Sequence, residues 1–132
     1  MTPPDTPDMP GKHHHRQNKG SYGRGQRAEI LAAWALRLKG FRVLARRYAC
    51  PTGEVDLIIR KKQLVAFVEV KRRDTETAAL AALTEQQWRR IETSADIFMA
   101  RRPHLAACSW RFDAVVVVPR RWPVHYPGIW HP

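Results

Sequence analysis

Residues 53–71 read GEVDLIIRKKQLVAFVEVK, which is two β-type runs joined by a short polar segment. Residues 54–59 and 64–71 are rich in Val, Ile and Phe, as strands usually are. The Arg-Lys-Lys-Gln segment at 60–63 is typical of a hairpin turn. This stretch therefore predicts an antiparallel hairpin.

Three charged residues lie inside these two strands, where a charge is unusual. Asp56 lies in the first strand, and Glu69 and Lys71 lie in the second. A charge in the middle of a β run is costly unless it is paired, binds a metal or faces a cleft. These three residues are therefore the first candidates for a functional site.

The register of the hairpin determines whether the charged side chains meet. A two-residue turn at Lys62-Gln63 places them on one face of the sheet, and so does a four-residue turn, whereas a three-residue turn separates them. In the two-residue register Asp56 stands opposite Glu69. We expect one polar face and one apolar face. The polar face would carry Glu54, Asp56, Glu69 and Lys71 together with Ile58 and Phe67, and the apolar face Val55, Leu57, Ile59, Ala66, Val68 and Val70.

Two facing carboxylates repel each other unless a cation lies between them. Carboxylate oxygens suit Mg²⁺ or Mn²⁺, and a neighbouring lysine can hold a phosphate or polarise an attacking water. These groups would serve metal-assisted phosphodiester hydrolysis. The alternative is a ladder of salt bridges on a wet sheet face, and the residue types alone leave both readings open.

The flanking sequence predicts two helices and two more strands. A helix over 24–39, apolar nearly all round, should be mostly buried and end at Gly40, and a strand follows over 41–48. A second helix begins after Thr84, which forms a capping box with Gln87, and stops before Pro103. Residues 110–118 form a strand buried on both faces. The fold class is α/β, a single domain with a mixed central sheet flanked by helices.

Both ends of the chain differ in composition from this domain, which spans residues 21–118. Residues 1–20 lack Ile, Leu, Val and aromatic side chains, so we expect a disordered tail, with His13, His14 and His15 as a solvated polar run. Residues 119–132 are rich in Pro and Trp and should run irregularly over the domain.

Composition restricts the class of partner. The chain has 132 residues and a formal net charge of +11, which favours nucleic acid or an anionic surface. Of its 23 cationic residues 17 are Arg, and because guanidinium groups match phosphate oxygens in pairs, nucleic acid is preferred. No apolar run approaches the roughly 20 residues that span a bilayer. Cys50 and Cys108 do not make a disulfide framework, so we expect a reduced, cytoplasmic protein.

Several polar side chains could contact nucleic acid near the acidic residues. Arg72 and Arg73 directly follow Lys71, and Arg89 and Arg90 lie on the polar side of the second helix. They could contact phosphates beside a scissile bond without reading base sequence. Gln87, on the same helix, offers a phosphate an amide but no charge.

The pattern of an Asp followed thirteen residues later by Glu-x-Lys resembles the signature of restriction-endonuclease-like nucleases. The longer pattern resembles the YraN-type family of small bacterial proteins. It consists of Gly25-x-x-Ala-Glu29, Gly40-Phe41, Gly53-Glu-Val-Asp-Leu-Ile58, Val65-Ala-Phe-Val-Glu-Val-Lys-Arg-Arg73, Arg90-Ile91 and Arg111-Phe-Asp113.

This resemblance implies a Holliday-junction-resolvase-like fold and assigns roles to the acidic residues. Asp56 and Glu69 would be ligands of Mg²⁺ or Mn²⁺, with the Val70 carbonyl as a third ligand. Lys71 would orient or activate water, and Glu29, on a helix face with Ala33 and Leu36, would complete the metal site.

We therefore expect a metal-dependent nuclease that acts on DNA, including branched or processed DNA, rather than on RNA. The alternative is a non-catalytic nucleic-acid-binding module with the same fold, which Gln87 favours because members of the resembled family often have Lys there. A protein-assembly adaptor is a third class, and it would not bind nucleic acid. Resolvase-like proteins are often homodimers, so a second copy of the chain is also compatible with the resemblance.

Overall fold

The computed structural model describes residues 19–132, with side chains described from Gly25 onward. Residues 1–18, with most of the predicted disordered tail and its three histidines, lie outside the described residues. Three helices are present, α1 (Lys19–Leu38), α2 (Glu76–Ala81) and α3 (Glu85–Ala100). The strands are β1 (Arg42–Cys50), β2 (Gly53–Lys61), β3 (Leu64–Arg72), β4 (Ser109–Val117) and β5 (Val124–Trp130).

The five strands form one mixed sheet in the order β1-β2-β3-β4-β5. Only β3 and β4 are parallel, because the chain between them crosses over through α2 and α3. The other neighbours are antiparallel. The predicted α/β class and mixed sheet are confirmed. Within residues 19–132 no helix is long and apolar enough to cross a membrane, and Cys50 and Cys108 are free thiols.

The β2–β3 hairpin has the two-residue turn, one of the turn lengths that the sequence analysis left open. Lys61 pairs with Leu64, and Lys62 in the turn has a φ of 56°, as the tight turns of twisted hairpins require. The ladder continues to Leu57 opposite Val68 and stops there. This register predicts that Asp56 and Glu69 form the next pair of the ladder. They are not paired, however, and lie just beyond its last pair.

The prediction that the hairpin has one polar and one apolar face is wrong, because helices cover both faces. On one face Ile58 and Phe67 pack in a cluster with Trp88 and Phe98 of α3. On the other face Leu57 and Val68 belong to a cluster that includes Leu36 of α1. A strand inside a sheet covered on both sides is apolar on both sides. The charges therefore lie at the end of the paired region and not along an open face.

Helix α1 is less buried than its composition predicts. Trp34 is 54% exposed and Leu38 is 73% exposed, while Ala32, Ala33 and Leu36 are fully buried against the sheet. A helix that rests on one sheet can bury only the face that contacts it. Its predicted end at Gly40 is confirmed, since Gly40 has a φ of 97° and the Phe41 N–H bonds the Leu36 carbonyl at 3.1 Å, as in a Schellman motif.

Helix α3 begins as predicted, but only half of the capping box forms. The Thr84 hydroxyl accepts a hydrogen bond from the Gln87 N–H at 3.2 Å. The Gln87 side chain bonds Glu69 instead of returning to the backbone of Thr84. Helix α2, capped by the Thr75 hydroxyl, is a short element that the sequence analysis did not predict.

The C-terminal segment is a strand, so the prediction of an irregular tail is wrong for residues 124–130. Strand β5 pairs antiparallel with β4, and its place at the edge of the sheet tolerates Pro127. Trp130 stacks on Trp88 of α3, with ring centroids 6.2 Å apart. Trp122, before the strand, is 60% exposed.

Asp113 is the charge that holds β5 against β4. Its side chain is 0% exposed and accepts hydrogen bonds from Arg111 Nε at 2.8 Å and from the Gly128 N–H at 2.9 Å. His125 Nε2 lies 2.8 Å from its second oxygen. Burial alone would raise the pKa of Asp113, but the hydrogen bonds from His125, Arg111 and Gly128 outweigh it and hold the pKa below its usual value. The carboxylate therefore remains charged inside the protein.

We expect Asp113→Asn to lower the free energy of unfolding by about 3 kcal/mol at neutral pH, because it breaks a buried, hydrogen-bonded ion pair. A carboxylate with a lowered pKa stabilises the fold above its unfolded pKa of about 3.9, and this contribution is lost as the pH falls through the lower folded pKa. The difference between the variant and the wild type should therefore shrink below about pH 4. Urea unfolding at several pH values measures it. Asp96→Asn, at an exposed position of α3, is the control, and equal stabilities of the two variants would contradict the role of Asp113.

Candidate functional site

The candidate site lies where β2 and β3 stop pairing. Beyond Leu57 and Val68 the regular ladder ends, and the Asp56 Oδ2 atom accepts a hydrogen bond from the Val70 N–H at 2.8 Å. A side-chain oxygen thus takes the place of a carbonyl from the neighbouring strand. Because the two strands separate at this point, a cavity can open between them.

Glu69 is the centre of the site. It is only 5% exposed, and its Oε2 atom accepts a hydrogen bond from Gln87 Nε2 at 2.7 Å and lies 3.3 Å from Lys71 Nζ. Besides burial, the charge of the neighbouring Asp56 carboxylate also acts on it and contributes to raising its pKa. The structure therefore brings Asp56, Glu69 and Lys71 together, as their positions in the two strands suggested.

Helix α1 contributes Glu29, which the family resemblance had implicated. Glu29 is 9% exposed and lies on the helix face of the buried Ala33 and Leu36. Its Oε1 atom lies 3.7 Å from Arg47 Nη1 and, among the residues that the structure describes, has no hydrogen-bond partner. An orphaned buried carboxylate oxygen is costly, so this atom has a free position for a ligand.

Arg47 is a site residue that the sequence analysis did not single out. It lies on β1 with a φ of 53°, in a region that residues other than glycine rarely adopt. Its guanidinium lies 3.7 Å from Glu29 and 3.9 Å from Glu54. Glu54 is half exposed and faces Arg47. The Arg46-Arg47 pair was visible in the sequence, but no local pattern separates it from the other arginine pairs.

These side chains surround a cavity of about 340 Å³. Its lining contains carboxylates from α1, β2 and β3, together with Lys71 and two arginines that follow it: Gly25, Ala28, Glu29, Asp56, Glu69, Val70, Lys71, Arg72 and Arg73. Arg89 and Arg90 are not among the lining residues, and Arg89 instead pairs with Glu85 of its own helix at 3.1 Å. Gln87 reaches the site through Glu69 and not through a separate phosphate-binding face.

Burial raises the pKa of all three carboxylates. Burial, and next the charge of Asp56, raises the pKa of Glu29 to about 8 and that of Glu69 to about 8. Burial also raises the pKa of Asp56 to about 6, although the Val70 N–H opposes this. Protons therefore occupy part of the site near neutral pH. A divalent cation would favour the charged forms and displace these protons.

The donor set fits an oxygen-coordinated cation such as Mg²⁺ or Mn²⁺. Asp56 and Glu69 line the same cavity as Glu29, one oxygen of which has no hydrogen-bond partner among the described residues. Within residues 19–132, however, no three His, Cys, Asp or Glu side chains are close enough to surround one ion. Asp56 and Glu69 would therefore be the carboxylates that bind the cation directly, and backbone or water oxygens would have to complete its coordination shell.

Comparison with known proteins places the site in a family context. The model of "Uncharacterised protein family UPF0102" matches residues 28–117, which include all of the acidic residues above. A UPF0102 protein of Chelativorans sp. is 51% identical over 110 residues, covering 83% of this chain and 89% of the relative. One of Parvibaculum lavamentivorans is 49% identical, covering 85% and 84%. One of Brucella canis is 53% identical, covering 82% and 86%.

The raised pKa values predict how stability depends on pH in the absence of divalent cations. The folded protein keeps protons on Glu29 and Glu69 up to about pH 8, whereas the unfolded chain releases them near the usual value of 4.5. Unfolding then releases protons, so the free energy of unfolding should fall by several kcal/mol between these two pH values.

Urea unfolding in EDTA across this pH range checks the prediction. Glu69→Gln should flatten the decline because it removes one of the buried titrating groups. Glu85→Gln, at an exposed position of α3, should leave the decline as it is in the wild type. Identical slopes for the wild type and Glu69→Gln would show that Glu69 titrates normally.

Proposed function

Since the chain belongs to Uncharacterised protein family UPF0102, the YraN family, we propose that it is a metal-dependent nuclease that hydrolyses phosphodiester bonds in DNA. The observation that carries the proposal is the meeting of Asp56, Glu69 and Lys71 in one cavity with a basic rim. A salt-bridge ladder on a wet sheet face would not need buried carboxylates. Fold alone would not support an activity, and this proposal rests on the residues of the site.

Asp56 and Glu69 would hold Mg²⁺ or Mn²⁺, with the Val70 carbonyl as a further oxygen ligand. When bound, such an ion supplies Lewis acidity to a phosphoryl oxygen and lowers the pKa of coordinated water. The Val70 N–H orients Asp56 through its 2.8 Å hydrogen bond. Gln87 orients Glu69 in the same way at 2.7 Å, so the two carboxylates are held before any ligand arrives.

Lys71 is the residue that would act on the reacting groups. Its ammonium lies 3.3 Å from Glu69 and lines the cavity, where it can hydrogen-bond an attacking water or a non-bridging phosphate oxygen. Arg72 and Arg73 follow it at the rim of the same cavity. Their guanidinium groups would bind phosphates on either side of the scissile bond, which positions the substrate without reading its sequence.

A non-catalytic nucleic-acid-binding module is the second candidate. The Gln87–Glu69 hydrogen bond favours it, because an uncharged amide occupies a donor position next to the proposed metal ligand. The two candidates differ in their need for metal. A nuclease requires a divalent cation at Asp56 and Glu69, whereas a binding module does not.

We expect Mn²⁺ to bind the wild-type protein and Asp56→Asn or Glu69→Gln to weaken binding at least tenfold. Each substitution removes a negatively charged oxygen ligand while keeping the shape of the side chain. Isothermal titration with Mn²⁺ measures this, and the affinity should rise with pH because bound protons compete with the ion. Asp96→Asn and Glu85→Gln are the matched controls. Equal affinity in all variants would place the ion elsewhere.

We expect cleavage of DNA in Mg²⁺ or Mn²⁺, tested with branched junctions and with linear duplex and single-stranded DNA of the same sequence. Asp56→Asn, Glu69→Gln and Lys71→Met should each lower the cleavage rate at least 100-fold, because each removes a group that acts on the reacting phosphate. Cleavage that survives Asp56→Asn and Glu69→Gln would come from a contaminant. Metal-independent binding without cleavage would support the binding module instead.

A further inference from the structure

A second cavity of about 270 Å³ adjoins the acidic one and is basic instead of acidic. It lies between the first described residues of α1 and the segment that leaves β4. Leu31 and a short apolar wall form part of its lining. The rest of the lining includes four arginines, Arg27, Arg72, Arg120 and Arg121. Neither the sequence patterns nor the proposed nuclease chemistry gives Arg27, Arg120 or Arg121 a role.

The positive charge of this cavity favours binding of an anion. No carboxylate is among its lining residues, and none of the ion pairs found among the described side chains involves any of these four arginines. Like charges brought together around one concave surface repel each other. Guanidinium groups match phosphate oxygens in shape and charge, so a phosphate would relieve this repulsion best.

The position of the basic cavity relates it to the proposed catalytic site. Ala28 and Arg72 line both cavities, so the two are continuous over the surface. A chain with regularly spaced phosphates could occupy the acidic cavity with one phosphate and the basic cavity with another. An isolated small anion would gain nothing from this continuity.

The segment that forms the outer wall is held in a defined conformation. Arg120 has a φ of 65°, and the turn around it is closed by a hydrogen bond from the Arg121 N–H to the Val118 carbonyl at 3.1 Å. Pro119 lies within the turn and the buried Pro123 follows it, and both restrict the backbone. The arginines are therefore presented by a stiff turn.

Trp122 indicates which form of nucleic acid the cavity would receive. It directly follows Arg121 and is 60% exposed, which is unusual for the largest apolar side chain. An exposed aromatic ring beside cationic residues is the arrangement on which unpaired bases stack in single-strand-binding proteins. In a duplex the faces of the bases are covered by their neighbours, so only an unpaired base is available to it.

We propose that the Arg27, Arg72, Arg120 and Arg121 cavity binds a backbone phosphate of a single-stranded nucleic acid segment, with Trp122 stacking on an adjacent unpaired base. The inference rests on the proposed function, since it extends the same substrate path. The substrate class is then a nucleic acid with an unpaired segment at the cleavage site, such as an overhang, a flap or the strand exchange point of a junction.

The test uses the full chain in EDTA, so that binding is measured without metal and without cleavage. The probes are a fluorescently labelled single strand and a duplex of the same sequence, followed by anisotropy over a salt series. Arg120→Asn with Arg121→Gln should weaken single-strand binding at least tenfold. It should also make the slope of log K against log salt shallower by about 0.7, because the contact to one phosphate is lost.

The control variant is Arg42→Gln with Lys62→Asn, which removes the same charge at exposed positions near the hairpin turn. It should change single-strand binding less than twofold and leave the slope as it is. Asn at positions 120 and 62 is chosen because it tolerates a positive φ better than most residues. If both double variants lost the same affinity for the single strand, binding would depend only on the overall surface charge and not on the cavity, and the proposal would be overturned.

Trp122→Ala tests the stacked base separately. It should weaken single-strand binding at least about fivefold, as loss of one aromatic stacking platform does, and change duplex binding less than twofold. An equal effect on both probes would refute stacking on an unpaired base, and a wild-type protein that binds no single strand would refute the whole inference. Absence of cleavage in Mg²⁺ alongside the expected binding losses would overturn the nuclease proposal and leave this one standing.

Discussion

The hydrogen bond from the Val70 N–H to the Asp56 carboxylate, at 2.8 Å, determines where a site can exist in this fold. Helices cover both faces of the β2–β3 hairpin, so a polar side chain along its paired length would have no access to solvent. Once a side-chain oxygen replaces the carbonyl of the neighbouring strand, pairing stops without leaving the amide unsatisfied. The two strands separate at that point, and Glu69 and Lys71 become accessible from the cavity.

The charge distribution around the site follows from the separation of β2 and β3. Three carboxylates lie in one poorly hydrated cavity, and burial raises the pKa of each of them. Arg47 and Lys71 offset this charge only in part, at distances of 3.7 and 3.3 Å. The rest of the surface is strongly basic, given the net charge of +11. A small acidic centre inside a basic shell is suited to a polyanion that is held around a bound cation.

The buried charge of Asp113 has a different purpose from the charges of the site. Arg111, His125 and the Gly128 N–H satisfy its oxygens, and its pKa is lowered instead of raised. Asp113 is thus a structural carboxylate whose partners are all supplied by the protein, whereas one oxygen of Glu29 has no hydrogen-bond partner among the described residues. The same bonds hold β5 at the edge of the sheet and thereby fix the segment that precedes it, with Arg120, Arg121 and Trp122.

Local sequence alone predicted the hairpin, the helix boundaries at Gly40 and Thr84, and the proximity of Asp56, Glu69 and Lys71. These depend on local alternation, turn chemistry and caps, which are short-range properties. The folded molecule was needed to see that both sheet faces are covered, that residues 124–130 form a strand, and that Arg47 and Gln87 reach the carboxylates. Each of these depends on contacts between residues far apart in the chain. An arginine pair or a proline-rich segment looks the same in sequence whether or not it contacts a buried carboxylate in the folded protein. Asp113 and Glu29 are such carboxylates, and their partners can be identified only in the folded structure.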